Sequence, residues 1–294
     1  MNTTLNANFV KKLSQNSWLQ DGEKVHWATE LEAGRVLHFD TLPFDLHENE
    51  KYLFIQDILD PKARNISLDS NGEIKGVNNT RPVGDELGGL IQRFREHANQ
   101  LVHSAFPKYS KNLRLAPTSF RPKEVETRRQ SIRADDKRLH VDAFPSRPNR
   151  GERILRVFFN INPQGRPRVW RIGEPFEDIA KRYVSSIKKY RPWQAQILQA
   201  LHITKSLRSE YDHLMLGIHD QMKQSDEYQS TSPQITYEFE SGSVWLCFSD
   251  QTAHAAMSGQ FMMEQTYHLP VSALYTPSSC PLSILQRLMN KELV

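Results

Sequence analysis

His140 and Asp142 flank a single residue in the run RLHVDAFP. On an extended strand, residues two apart point to the same face, so this spacing presents an imidazole and a carboxylate together. The pair can hold two positions of a divalent iron ion. A histidine from a distant strand would complete a facial set and leave the remaining positions open for substrate chemistry. The spacing alone is a weak signal in a chain with 11 histidines, where most such pairs are hydrogen-bonded surface couples. His254 is the candidate third ligand, in ESGSVWLCFSDQTAHAAMSGQ. A Gly-Ser turn opens an apolar strand there, a polar corner SDQT follows, and His254 begins a strand of small residues. That pattern suits a jelly-roll, in which the strand carrying the last ligand returns beside the one carrying the first two. His268 competes, but HLP places it at a strand end, and an ordinary core histidine is the alternative for His254.

Two arginines stand in what otherwise reads as a buried strand, RILRVFFNIN. By the two-residue period, Leu155, Val157, Phe159 and Ile161 share an apolar face that packs into the core. Arg156, Phe158, Asn160 and Asn162 share the other, which is expected to line a cavity. An inward guanidinium is costly unless it meets a carboxylate, and bidentate pairing is what its planar fork does best. Arg156 lies about one hairpin beyond His140, so the distal carboxylate of 2-oxoglutarate is its expected partner. Arg153 has the opposite parity and is expected at the cavity mouth or in solvent.

The elements that position these residues fall into regions. Residues 1–110 are helical or mixed, with apolar residues at helical spacing over 84–105. Residues 111–174 carry the first strands, 175–230 a helical insertion, and 231–294 the returning strands and a C-terminal segment, LSILQRLMNKELV, that is expected to dock as a helix. This order predicts one α+β catalytic domain over 1–294, a barrel or sandwich of strands with helical decoration. Hydrophobic content of 38% and charged content of 24% belong to a folded chain. No apolar run reaches membrane-span length and the N-terminus lacks a signal-peptide core. Cys247 and Cys280 make neither a disulfide framework nor a metal motif, and together these features predict a reducing, cytoplasmic setting. The formal charge is only +4, yet positive residues crowd 121–138, 147–153, 166–171 and 188–192. Such clusters meet anionic partners or are simply solvated.

The run HVDAFPSRPNRGERILRVFFNINPQGRPRVWRIGEPF, with SVWLCFSDQTAHAAMSGQFMMEQTYHLP, is similar to the Kdo hydroxylases of Gram-negative bacteria. These belong to the Fe(II)/2-oxoglutarate-dependent dioxygenase superfamily, and the similarity extends from about Arg121 onward. The resemblance implies a double-stranded β-helix (cupin-like) core and Fe(II) held by His140, Asp142 and His254. It implies 2-oxoglutarate and O2 as cosubstrates and ascorbate as reductant. The substrate it implies is the 3-deoxy-D-manno-oct-2-ulosonic acid (Kdo) sugar of Kdo-lipid A, hydroxylated at carbon 3, with peripheral contact on the cytoplasmic face of the inner membrane. Many superfamily members place an Arg about ten residues after the final His; here that position is Glu264. This strengthens the reading of Arg156 as cosubstrate anchor, with Asn160 and Gln265 as neutral helpers. Arg147 and Arg150, in the loop after Asp142, become candidates for substrate contact, although surface solvation serves each equally well.

Two further readings compete. An oxygenase acting on nucleic acid would use the same iron site, and Trp170 and Tyr190 could offer stacking faces, although Trp170 in PRVWRIG reads more simply as strand core. A non-enzymatic sugar- or lipid-binding jelly-roll would give His140, Asp142 and His254 no reason to converge. There is no GxSxG elbow, HExxH motif or phosphate-cradling Gly-rich loop to support a hydrolase.

Overall fold

Two facing β-sheets are produced by strands whose alternate residues differ in character. The computed structural model describes residues 9–80, 83–127 and 130–294. In chain order the strands are β1 (Val10–Leu13), β2 (Val36–Phe39), β3 (Ile66–Leu68), β4 (Ile74–Lys75), β5 (Arg114–Arg121), β6 (Arg153–Asn160), β7 (Arg168–Gly173), β8 (Gln234–Phe239), β9 (Val244–Phe248), β10 (His254–Ser258) and β11 (Met262–Leu269). The major sheet runs β1-β2-β9-β6-β11-β5-β3-β4 and the minor sheet β10-β7-β8. All pairs are antiparallel except β1–β2. This is a jelly-roll, an α+β arrangement as the strand pattern predicts.

The faces of β6 divide the interior. Leu155, Val157 and Phe159 pack with Leu87, Leu90, Ile91 and Phe94, which lie on one side of a helix spanning Gly84–Ala105. Phe158, of opposite parity, packs between the sheets with Trp170, Phe239 and Trp245. The inter-sheet space is therefore aromatic at one end. At the Arg156 end it is charged.

Helices α1 (Val25–Glu32) and α2 (Gly84–Ala105) precede the metal-ligand strands. Between β7 and β8 come α3 (Phe176–Tyr183), α4 (Pro192–Ala200), α5 (Glu210–Gln224) and α6 (Asp226–Thr231), and α7 (Pro281–Met289) closes the chain. α7 buries Ile284 and Leu285 against Leu139, Ile179 and Leu214; it docks as an ordinary helix. Among the described residues no helix is long and apolar enough to cross a membrane.

The helical insertion has a positioning task. Segment 139–142 lies at the edge of the minor sheet, where His140 bridges His254. An edge leaves backbone groups unpaired, and the insertion pairs them. Gln229 Oε1 accepts from Leu139 N at 2.7 Å and its Nε2 donates to Leu139 O at 2.9 Å. His219 Nδ1 meets Val141 O at 2.8 Å. Gln229→Leu should strand both backbone groups of Leu139 and cost about 2 kcal/mol, with weaker metal binding. Denaturant unfolding and a cobalt(II) titration check this, and an unchanged metal affinity would remove Gln229 from any positioning role.

His38 supplies a pH signature of the fold. Burial lowers its pKa from the usual 6.5 to about 4, with Asp40 opposing, and its Nδ1 lies 2.9 Å from the Tyr237 hydroxyl. The unfolded chain therefore binds a proton that the folded chain refuses between these values. The associated stability is present above about pH 6.5 and is lost as pH falls toward 4, by up to about 1.4 kcal/mol per pH unit. His38→Gln should flatten the acid limb of a stability-versus-pH curve by one proton. A curve of unchanged slope would show that His38 does not carry that uptake.

Candidate metal centre

His140 and His254 are brought together by the minor sheet itself. They are direct cross-strand partners, exchanging His140 N→His254 O (3.0 Å) and His254 N→His140 O (2.8 Å), and their ring centroids lie 4.7 Å apart. Asp142 follows two residues after His140, its backbone N bound to Ser249 O at 2.8 Å. One ligand-capable atom from each of His140, Asp142 and His254 lies within 4.8 Å of the others. His268, the competing histidine, is on β11 among the cavity-lining residues and outside this cluster.

The donors are prepared for a cation. His140 Nδ1 faces Arg138 O at 2.7 Å and His254 Nδ1 faces Thr252 O at 2.8 Å. A carbonyl only accepts, so each Nδ1 carries the proton and each Nε2 keeps its lone pair, the tautomer a metal requires. Trp170 stacks on His254 at 5.2 Å and fixes that ring's plane. Burial keeps both imidazoles neutral: the pKa of His140 falls to about 4 and that of His254 falls below the usual value. Burial opposes the charge on Asp142, yet the Arg156 guanidinium beside it holds it well below the usual carboxylate range. Asp142 Oδ2 is buried without an aligned hydrogen bond, although Arg156 Nη2 approaches to 2.8 Å. That approach is an ion contact of poor alignment, so the oxygen keeps a lone pair. Two neutral Nε2 atoms and an ionised, under-satisfied carboxylate fit the facial donor set of a non-haem Fe(II) centre.

Arg156 stands on the inter-sheet face, as its parity predicts. Its partners are the protein's own carboxylates: Asp142, and Glu264 Oε1 at 2.8 Å. Glu264 is also held by Arg121 Nη2 at 2.7 Å. Burial works against the charge on Arg156, and Asp142 and Glu264 more than offset it. Arg121, Arg156, Asp142 and Glu264 thus form a buried set of two cations and two anions. Sequence reading missed Arg121 and assigned no role to Glu264. The signal was present in register, since Arg121 and Glu264 lie on neighbouring strands, β5 and β11.

Several other expectations change. Gln265 has the parity of Met263 and Tyr267 and faces α2, not the metal cluster. Its amide is engaged by Thr118 Oγ1 at 2.5 Å and Ala116 O at 3.0 Å. Asn160 shares the face of Arg156, but its Nδ2 donates to Arg166 O and Phe239 O, both at 2.9 Å. It pins the β6–β7 turn to β8 at the aromatic end and is not among the residues that line the cavity reaching Asp142. Arg153 is wholly buried, donating to Asp250 Oδ2 at 2.7 Å and Gln251 Oε1 at 2.6 Å over the Phe248 ring. Its parity is as read, but the polar corner after β9 closes over that end of the strand and supplies the counter-charge. Arg150 is exposed outside the cavity lining, because Asp212 Oδ1 accepts from the backbone N of both Asn149 and Arg150 at 2.9 Å and sets that turn. Trp170 is buried at 2% exposure, so it offers no stacking face to a nucleic acid.

An open cavity of about 1260 Å³ reaches Asp142 and Arg156. Lys62, Arg64, Arg114, Arg121, Lys123, Arg147 and Lys205 line it with Arg156, against Asp136, Asp142 and Glu152. His268 also lines it, with a buried Nδ1 lacking a hydrogen-bond partner. Burial foremost, with Arg114, Arg156 and Arg147 adding, lowers the His268 pKa to about 4, so it meets a ligand as a neutral imidazole.

This chain matches the family of 3-deoxy-D-manno-oct-2-ulosonic acid (Kdo) hydroxylases over residues 15–292. The chain belongs to the Kdo hydroxylase family. It is 43% identical to the Kdo hydroxylase KdoO, a non-heme Fe(II) alpha-ketoglutarate-dependent dioxygenase solved with cobalt(II), at a TM-score of 0.93 with 97% of each chain covered. KdoO with alpha-ketoglutarate and Fe(III) superimposes at a TM-score of 0.92 and 42% identity, covering 97% of each chain. The succinate and Fe(III) complex does so at 0.91 and 42%, with the same coverage. Among curated proteins none matches. This Kdo hydroxylase-family chain thus carries its paired histidines, its carboxylate and its cationic cavity on the fold of enzymes solved with metal and cosubstrate.

Proposed function

We propose that this chain is an Fe(II)- and 2-oxoglutarate-dependent dioxygenase that hydroxylates the Kdo sugar of Kdo-lipid A at carbon 3. The observation that carries the reading is the two-histidine, one-carboxylate cluster at the base of a cationic cavity. His140 Nε2, His254 Nε2 and the Asp142 carboxylate would hold the metal. When bound, iron(II) with 2-oxoglutarate and O2 supplies the oxidising chemistry that adds one oxygen to a C–H bond and releases succinate and carbon dioxide.

The buried charges set what else can bind. Arg121, Arg156, Asp142 and Glu264 balance one another, so a divalent cation leaves an excess of two positive charges. A dicarboxylate restores neutrality, and Arg156, with Arg121 beside it, would orient its distal carboxylate. Further out, Arg147 would meet the acid group of the sugar or a lipid phosphate, and neutral His268 would hydrogen-bond the sugar. The cavity is open, so the bound substrate itself would exclude water from the reacting centre. An anionic lipid-linked substrate implies peripheral contact with the cytoplasmic face of the inner membrane.

The test is incubation of the protein with Kdo-lipid A, Fe(II), 2-oxoglutarate and ascorbate under air. Succinate release that depends on both iron and lipid, with one oxygen gained on the sugar by mass spectrometry, is the expected result. Succinate release indifferent to the sugar lipid would leave the oxygenase and refute the substrate.

A further inference from the structure

Helix α4 presents an apolar face that nothing among the described residues covers. Trp193, Ile197 and Leu201 recur at four-residue spacing and are 54%, 48% and 64% exposed, and Ile203 beyond them is 54% exposed. Residues four apart stack on one side of a helix, so the first three form a stripe about 12 Å long. Four of the eleven large apolar side chains exposed on the described surface fall within this stretch of eleven residues. The helix is nevertheless firmly ended. Pro192 opens it, and His202 closes it in the left-handed region at φ 54°, with Ile203 N and Thr204 N bound to Leu198 O. Ala195 is the buried anchor of the helix.

The stretch of chain that carries the stripe is cationic. Residues 184–209 hold Lys188, Lys189, Arg191, Lys205 and Arg208 and no carboxylate. The excursion is clasped at its base by the Tyr190 hydroxyl on Arg208 O at 2.6 Å. Its returning leg is tied to segment 145–146, with Lys205 N on Ser146 O at 2.9 Å and Arg208 Nη2 on Pro145 O at 2.7 Å. Lys205, Ser146 and Phe144 line the cavity that reaches Asp142, so the segment that carries the stripe runs directly into the rim of that cavity.

We propose that the α4 face is an interfacial anchor that seats this rim on a bilayer containing anionic phospholipid. Apolar side chains on one side, a tryptophan among them and lysines and arginines around them are the features that hold a helix in the plane of a membrane surface. Basic residues beside that surface are drawn to anionic headgroups. A protein partner would explain the stripe but not a surrounding stretch without one carboxylate. The inference names the surface for the membrane contact proposed above and rests on the lipid-linked reading only for why the mouth lies beside it.

Trp193 is its own reporter, because Trp18, Trp27, Trp170 and Trp245 are all buried. The experiment uses the full chain with vesicles of phosphatidylethanolamine, with and without phosphatidylglycerol, lacking Kdo, iron and 2-oxoglutarate. Trp193 emission should shift to the blue and be quenched by lipids brominated close to the headgroup, only when phosphatidylglycerol is present. Ile197→Ser/Leu201→Ser/Ile203→Ser keeps the reporter and should bind vesicles at least about tenfold more weakly. Its thermal unfolding should be unchanged, since these side chains are exposed. Lys188→Gln/Lys189→Gln/Arg191→Gln should lose the preference for phosphatidylglycerol. Hydroxylation of lipid-linked substrate in vesicles should fall in the serine variant, while that of a deacylated, water-soluble Kdo oligosaccharide stays at the parent rate. Unshifted Trp193 emission, or a serine variant that binds as tightly as the parent, overturns the proposal. So does a stripe-dependent dimer without vesicle binding. Because the vesicle arm contains no substrate, its failure is distinct from failure of the hydroxylase reading.

Discussion

His254→Ala is expected to abolish sugar-dependent succinate release, a loss of roughly 1000-fold or more, which corresponds to about 4 kcal/mol in the barrier. The reason lies in the ligand count. Changes to groups that merely orient a metal ligand cost about 10- to 100-fold, and removing one of three ligands exceeds that. The fold should persist, because the two backbone hydrogen bonds between residues 140 and 254 survive the substitution, and circular dichroism would show it. Cobalt(II) binding, followed by its visible absorption, should weaken in parallel with activity. His140→Ala and Asp142→Ala should lose turnover likewise. Asp142→Ala carries a second penalty, since Arg156 loses one of its two carboxylates and a buried positive charge is left over. If His254→Ala turns over at a rate comparable to the parent, the assignment is wrong. His219, whose ring lies 5.2 Å from that of His140, and His268 would then be the residues to replace.

Arg156→Ala should raise the 2-oxoglutarate requirement by about 30-fold or more, because removing the partner of a buried charge costs roughly 2–5 kcal/mol. Two effects add. The distal carboxylate loses its fork, and Asp142 and Glu264 are left with Arg121 as the one cation of their buried set. Arg156→Lys separates them: it keeps the charge balance but not the bidentate geometry, so metal binding should match the parent while 2-oxoglutarate binding stays weak. Glu264→Gln gives the opposite sign. It releases the Arg156 fork from a competing carboxylate, and 2-oxoglutarate should bind at least as tightly as to the parent. Anaerobic titration of the Fe(II) protein with 2-oxoglutarate, read by its charge-transfer absorption, measures all three. An unchanged dissociation constant in Arg156→Ala would transfer the anchor to Arg121. Arg133 and Arg138 are poorer substitutes, being engaged with Asp220 and Asp226.

Much of this site was legible from local pattern. The two-residue spacing of His140 and Asp142, the small-residue strand that begins at His254, and the lone cation on the inward parity of β6 are short-range features. Strand geometry converts them directly into facing. The helical insertion was legible for the same reason, its apolar spacing changing from two to nearly four between β7 and β8.

Tertiary structure decided the rest, because parity assigns a residue to a face but not to what covers that face. Gln265 and Glu264 are neighbours in sequence, and only the packing of α2 on one side of β11 sends the first to Thr118 and the second to Arg156. Asn160 has the parity of Arg156, yet the aromatic plug of Phe158, Trp170 and Trp245 fills the space between the sheets at its end. Arg153 was read as a cation at the cavity mouth or in solvent, and a corner some 97 residues later in the chain supplies Asp250 as its counter-charge. The partner of Arg156 was the hardest to foresee. A charge on a strand announces that a counter-charge is needed, but Coulomb attraction acts through space. Which carboxylate answers depends on chain segments, Asp142 and Glu264 here, that the sheet brings together from more than a hundred residues apart.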